Sequence, residues 1–112
     1  MIYIKVKANF EDFHMWKKAP KAVAFLKNLH RHIFFVEAKI EVLDDDRELE
    51  YFMVQKKLKS IIQTIVVPMK ATKSCEMMAE TIVDYLEHYY PNRFIEVEVN
   101  EDGENGSISN NI

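Results

Sequence analysis

Apolar and polar residues alternate along residues 2–10, "IYIKVKANF". Ile2, Ile4, Val6, Ala8 and Phe10 fall on one side, Tyr3, Lys5 and Lys7 on the other. A period of two predicts a half-buried strand. The alternation returns over residues 30–43, "HRHIFFVEAKIEVL": Phe34, Val36, Ala38, Ile40 and Val42 share one face, and Glu37, Lys39 and Glu41 take the other. Residues 15–29 between these runs keep no strand period. Either Pro20 opens a short helix with Val23, Leu26 and Leu29 inward, or the segment is a packed loop.

Asp44–Asp46 ends the second strand, since a strand-averse acidic cluster suits a solvated turn. Its charge also precedes a helix, where it opposes the positive end of the dipole. From Arg47 the period becomes helical: Tyr51, Val54, Leu58, Ile61, Ile62 and Ile65 form the apolar stripe, and Lys56, Lys57 and Lys59 the wet side. Pro68 ends that helix or its trailing connection. Ser74 is a suitable N-cap for a second helix, with Glu76 in its first turn and Met78, Ile82, Val83, Leu86, Tyr89 and Tyr90 as its stripe. Pro91 closes it. Residues 94–99, "FIEVEV", predict a third strand with Ile95, Val97 and Val99 on one face. After the turn "NEDGENG", the tail "SISNNI" reads as a short final strand or a frayed end.

The predicted class is therefore α+β, an antiparallel sheet with two helices on one face in the order ββααβ(β). One domain spans residues 1–112. It comprises a strand pair (1–43) carrying the inserted segment 15–29, a helix pair (47–90), and the C-terminal strand or strands (93–112).

Composition narrows the class. With 112 residues, 48% of them apolar, the chain affords a real core without disulfides. A lone cysteine, Cys75, makes no internal disulfide, and the alternating N-terminus lacks the build of a signal peptide. No apolar run nears the roughly 20 residues of a membrane-spanning helix. A cytoplasmic location is expected, with no membrane partner. A net charge of −3 argues against a nucleic-acid partner.

The candidate chemistry lies in histidines. His30 and His32 share the even-numbered face with Phe34, Val36 and Ala38. If the first strand stays in register, His14 shares the face of Ile4, Val6 and Phe10, although a strand of that length often carries a bulge. Three imidazoles from two strands aimed at one interior suit Zn²⁺ and leave a fourth position open. The alternative is ordinary strand-end histidines. His88, near the end of the second helix, reads as solvated or dipole-matched.

The pattern F-x-x-x-H (Phe10 to His14) followed by L-H-x-H (Leu29 to His32) at a strand start resembles the 6-pyruvoyl-tetrahydropterin synthase and 6-carboxytetrahydropterin synthase family. The resemblance implies a zinc site on His14, His30 and His32. It also implies the tunnelling fold (T-fold) of two strands, two helices and two strands, whose subunits join sheets into a barrel, commonly a hexamer. "FMVQKKLKSII" (52–62) is similar to the family's first-helix entrance through Leu58-Lys59, with Val54-Gln55 in place of Asp-Phe. "KSCEMMAETIVDYL" (73–86) resembles its T-S-E-N-x-A helix start through Ser74, Glu76 and Ala79. "VEVNEDGENG" (97–106) resembles its strand-then-glutamate segment and makes Glu101 the carboxylate anchoring a pterin-like ring.

Three positions depart from the pattern. Leu26 stands where the family has its proton-relaying cysteine, Arg31 where it has a glycine between the ligand histidines, and no histidine lies between His32 and His88. The catalytic residues are thus unassigned, and a buried apolar role suits Cys75. Two function classes follow from the resemblance. One is a zinc-dependent lyase acting on a pterin or deazapurine precursor. The other is an inactive T-fold binding module that captures a purine-like molecule or nucleotide signal through Glu101 or Arg31. A third reading is a small oligomeric structural protein with core histidines. A homo-oligomer is expected, because a lone four-stranded sheet leaves its edges open.

Overall fold

A computed structural model describes all 112 residues. β1 (Ile2–His14) and β2 (His30–Val42) are each 13 residues long, and they pair antiparallel in unbroken register from Ile2 opposite Val42 to His14 opposite His30. No bulge interrupts β1, so the parity that carries Ile4, Val6, Ala8 and Phe10 inward also carries His14 inward. β3 (Ile95–Glu101) pairs with β2, and β4 (Gly106–Asn110) with β3, giving a four-stranded antiparallel sheet in the order β1-β2-β3-β4. The tail predicted as strand or frayed end is thus a strand.

α1 (Tyr51–Ile61) lies over β1, and α2 (Cys75–Tyr89) over β3 and β4. Pairing of Ala38 with Val97 puts the even positions of β2 and the odd positions of β3 on the helix-covered face. Phe34, Ile40, Leu58, Met78, Ile82 and Ile95 are fully buried there in one core. Each such side chain contributes roughly 1.5–3 kcal/mol by leaving water.

The helices depart from expectation in their ends. Glu50 caps α1, its carboxylate accepting from the N–H groups of Phe52 and Met53. The helix therefore starts at Tyr51, not Arg47, and Asp44–Asp46 lie in the preceding loop. After Ile61 the chain makes a π-helical turn, Ile62–Val66, closed by Val67 N–H on the Ile62 carbonyl at 2.9 Å. The extra residue advances the stripe by one, so Val66 rather than Ile65 is fully buried. Tyr51 and Tyr89, counted in the stripes, are exposed. Ser74 caps α2 as expected, accepting from Met77 N–H at 3.1 Å.

Residues 15–29 contain a short 3₁₀ helix, Lys21–Lys27, but none of its residues is buried, and Leu29 is exposed as well. The segment is held at its start, where Met15 N–H reaches the Ala71 carbonyl and Trp16 N–H the Leu26 carbonyl, both at 2.8 Å. No helix is long and apolar enough to cross a membrane.

Candidate metal centre

His14 ends β1, and His30 and His32 are the first and third residues of β2. Since His14 is paired with His30, and alternate residues of a strand face one side, the three imidazoles meet on the helix-covered face at the connection end of the hairpin. Their ring centroids are 4.6, 5.2 and 5.0 Å apart. One ring nitrogen of each lies within 4.8 Å of those of the other two. The buried ring of Phe34 forms the floor, meeting His14 and His32 edge-on at 5.2 and 5.6 Å.

Outer hydrogen bonds decide which nitrogen of each ring is free. His14 Nδ1 lies 3.0 Å from the Lys73 carbonyl, His30 Nδ1 2.7 Å from the Asn28 carbonyl, and His32 Nδ1 2.7 Å from Asp102 Oδ2. Carbonyl and carboxylate oxygens only accept, so each Nδ1 carries the proton and donates it. Every Nε2 is left with a lone pair. Three buried side-chain polar atoms in the chain lack a hydrogen-bond partner, and two of them are His14 Nε2 and His32 Nε2. Buried polar atoms are rarely left so. Glu101 Oε2 sits 3.0 Å from the first and 3.7 Å from the second without hydrogen-bond geometry. Electron-rich atoms thus surround a common space, which is the environment a cation relieves. The donor set fits a divalent transition metal, to which neutral imidazole is a good ligand.

Burial holds the His14 imidazole below its ordinary pKa of 6.5, so it stays neutral at neutral pH. The His32 hydrogen bond and the Ile33 N–H hold the Asp102 carboxyl below the usual carboxylate range, which keeps it an acceptor.

The cluster opens on a cavity of about 510 Å³ lined by Met15, Trp16, Leu26, the N-terminal turn of α2 and the β3–β4 turn. Glu101 and Glu76 present carboxylates to it, and Ser107 donates to Glu76 at 3.0 Å. Cys75 also lines it, but burial and the charges of Glu101 and Glu76 push its thiol up to about 12, so it is protonated and not nucleophilic at neutral pH.

The candidate residues His14, His30, His32 and Glu101 come together. Arg31 does not join them: alternation turns it to the opposite face of the sheet, where its guanidinium is exposed and bound to Glu11 at 2.7 Å. His88 is exposed in the last turn of α2, away from the cluster.

Two supporting residues escaped sequence reading. Lys73, 3% exposed, sends its ammonium to Asp12 at 2.6 Å while its carbonyl holds His14. Asp102 was legible only as a turn residue. In the sequence, a lysine between helices and an aspartate before glycine carry no mark of burial or of a histidine partner. The chain matches no protein-family model and none of the curated proteins with which it was compared.

Proposed function

We propose that the protein is a zinc-binding T-fold protein, related to the 6-pyruvoyl- and 6-carboxytetrahydropterin synthases, whose cavity takes a pterin-like or purine-derived small molecule. The observation that carries this reading is the trio of histidines with every Nδ1 engaged and the Nε2 atoms left facing one space. Tetrahedral three-histidine sites with one position open are a zinc arrangement. The ββααββ order and the unpaired outer edges of β1 and β4 suit a fold that closes into a barrel by joining sheets, as a hexamer or a related ring. Phe13, Ile33, Phe35 and Ile108 give the helix-free face exposed apolar surface for such an assembly.

His14, His30 and His32 would hold the zinc, which supplies Lewis-acid polarisation of a ligand oxygen. Glu101 accepts N–H donors of a guanine-like edge, a task for which two carboxylate oxygens are suited. The Asp102 and Lys73 contacts keep the rings aimed, and Met15, Trp16 and Leu26 line the cavity.

A second reading has its own support. Leu26, at the sequence position where the resembled family has its thiol, lines the cavity, and the Cys75 thiol is held protonated. A site without the family's thiol base captures its ligand instead of converting it, which makes the protein a binding module with the same pocket.

Elemental analysis tests the proposal first. About one zinc per chain is expected, lost in the His30→Ala/His32→Ala double variant, with an oligomer by light scattering. Fluorescence titration with dihydroneopterin triphosphate then separates the readings: binding with turnover supports the synthase, binding without turnover the capture module. A folded protein with neither zinc nor pterin affinity overturns both.

A further inference from the structure

We infer that Asp102 is a positioning residue for the metal centre, selecting the His32 tautomer whose Nε2 faces the ion. The inference rests on the metal reading above and extends it to a residue outside the ligand set. Asp102 is the first residue of the β3–β4 turn and adopts a left-handed conformation, φ 59°, that favours Asn, Asp and Gly. Three hydrogen bonds clamp it there. Its N–H donates to the Ile33 carbonyl at 2.8 Å, its Oδ1 accepts from Ile33 N–H at 2.9 Å, and its Oδ2 accepts from His32 Nδ1 at 2.7 Å.

The first two bonds go to the backbone of β2, so the place of the carboxylate is set by strand pairing and not by a bound ion. β3 ends its register with Glu101 opposite Phe34, and one more residue brings position 102 alongside Ile33 and His32. With one oxygen tied to Ile33, the other has the imidazole of His32 within reach. His14 and His30 donate to neutral carbonyls, so His32 is the one ring of the three backed by a charge. A carboxylate on Nδ1–H fixes the ring's orientation and makes Nε2 the more basic donor, and loss of such outer partners typically weakens metal binding 10–100-fold.

Asp102→Asn tests this because asparagine keeps the backbone conformation and the shape. Its carbonyl oxygen retains Ile33 N–H, which turns its NH₂ toward His32 Nδ1. That nitrogen must then accept, moving the proton to Nε2 and blocking the metal-facing lone pair. Two readouts are combined: zinc affinity by competition with a chromophoric chelator, and imidazole ¹⁵N shifts of the metal-free protein, which report tautomer directly. Asp102→Gly, which also tolerates the backbone angle and offers no partner at all, is the companion variant.

The expected result is Nδ1–H on His32 in the wild type, Nε2–H in Asp102→Asn, and a zinc affinity roughly 10–100-fold weaker in both variants. An affinity within twofold of wild type in both, or an Nε2–H tautomer in the wild type, overturns the inference while the zinc centre stands. Failure of the wild type itself to bind zinc is a different result: it removes the metal reading, and the inference with it.

Discussion

Replacing Lys73 by methionine keeps an unbranched side chain, shorter by the terminal nitrogen, and removes the ammonium with its charge and its donors. The ammonium has three N–H donors and three acceptors: Asp12 Oδ2 at 2.6 Å, the Val66 carbonyl at 3.2 Å and the Val67 carbonyl at 3.1 Å. The two carbonyls end the π-helical turn, where helical carbonyls have no partner of their own. In Lys73→Met they lose a donor, and the Asp12 carboxylate, with 17% of its side chain exposed, loses its counter-ion. Breaking one side of a buried ion pair costs about 3–5 kcal/mol. Residual water access to Asp12 places the expected loss at the low end, about 3 kcal/mol. Urea unfolding in the presence of a chelator measures it without metal stabilisation. The double variant Asp12→Asn/Lys73→Met removes the orphaned charge as well and should be more stable than Lys73→Met alone by about 1 kcal/mol or more. A loss below about 1 kcal/mol for Lys73→Met, or a double variant as unstable as the two singles summed, would refute the reasoning.

Four further outcomes are expected. Phe34→Ala, which empties a fully buried site stacked on Phe10 at 5.3 Å and under His14 and His32, should cost about 3–5 kcal/mol in urea unfolding and weaken metal binding. A Cβ at Gly106 would lie 2.3 Å from the Val99 carbonyl oxygen and 2.5 Å from Asn100 Cα, so Gly106→Ala must shift backbone. It should be clearly more destabilising than Gly103→Ala, which meets open space and pays only for φ +78°, about 1–2 kcal/mol. Cys75, with its thiol pushed from 9.0 to about 12, should react with a disulfide reagent at pH 8 roughly a hundred- to thousandfold more slowly in the native than in the urea-unfolded chain; equal rates would remove the burial argument. Burial lowers the His14 pKa below 6.5 in the folded chain, so the unfolded chain binds the proton more readily. The stability contributed by neutral His14 is complete above about pH 6.5 and is lost as pH falls through the depressed folded value, which chelator-treated wild type compared with His14→Gln across pH 5–8 would show.

The three histidines and the groups that orient them differ in how they are encoded. Period-two alternation places Phe34, Val36, Ala38 and Ile40 in the core, and the same alternation places His30 and His32 beside them. His14 follows because β1 runs 13 residues without a bulge, a continuity that pairing with the equally long β2 enforces. Arg31 could have been assigned on the same rule: its odd parity sends it to the face opposite its two neighbours. The helical period from Arg47 did not mark the start of α1, which the Glu50 cap sets at Tyr51. The π-helical turn leaves no periodic trace beyond a one-residue slip from Ile65 to Val66. Lys73 and Asp102 lie in connections, and connections take their course from tertiary contacts such as Met15 N–H on the Ala71 carbonyl and Asp102 N–H on the Ile33 carbonyl. A search for this centre by strand alternation alone would therefore recover the three histidines. It would miss the Asp102 carboxylate and the Lys73 carbonyl, whose hydrogen bonds to Nδ1 leave Nε2 of His32 and His14 free.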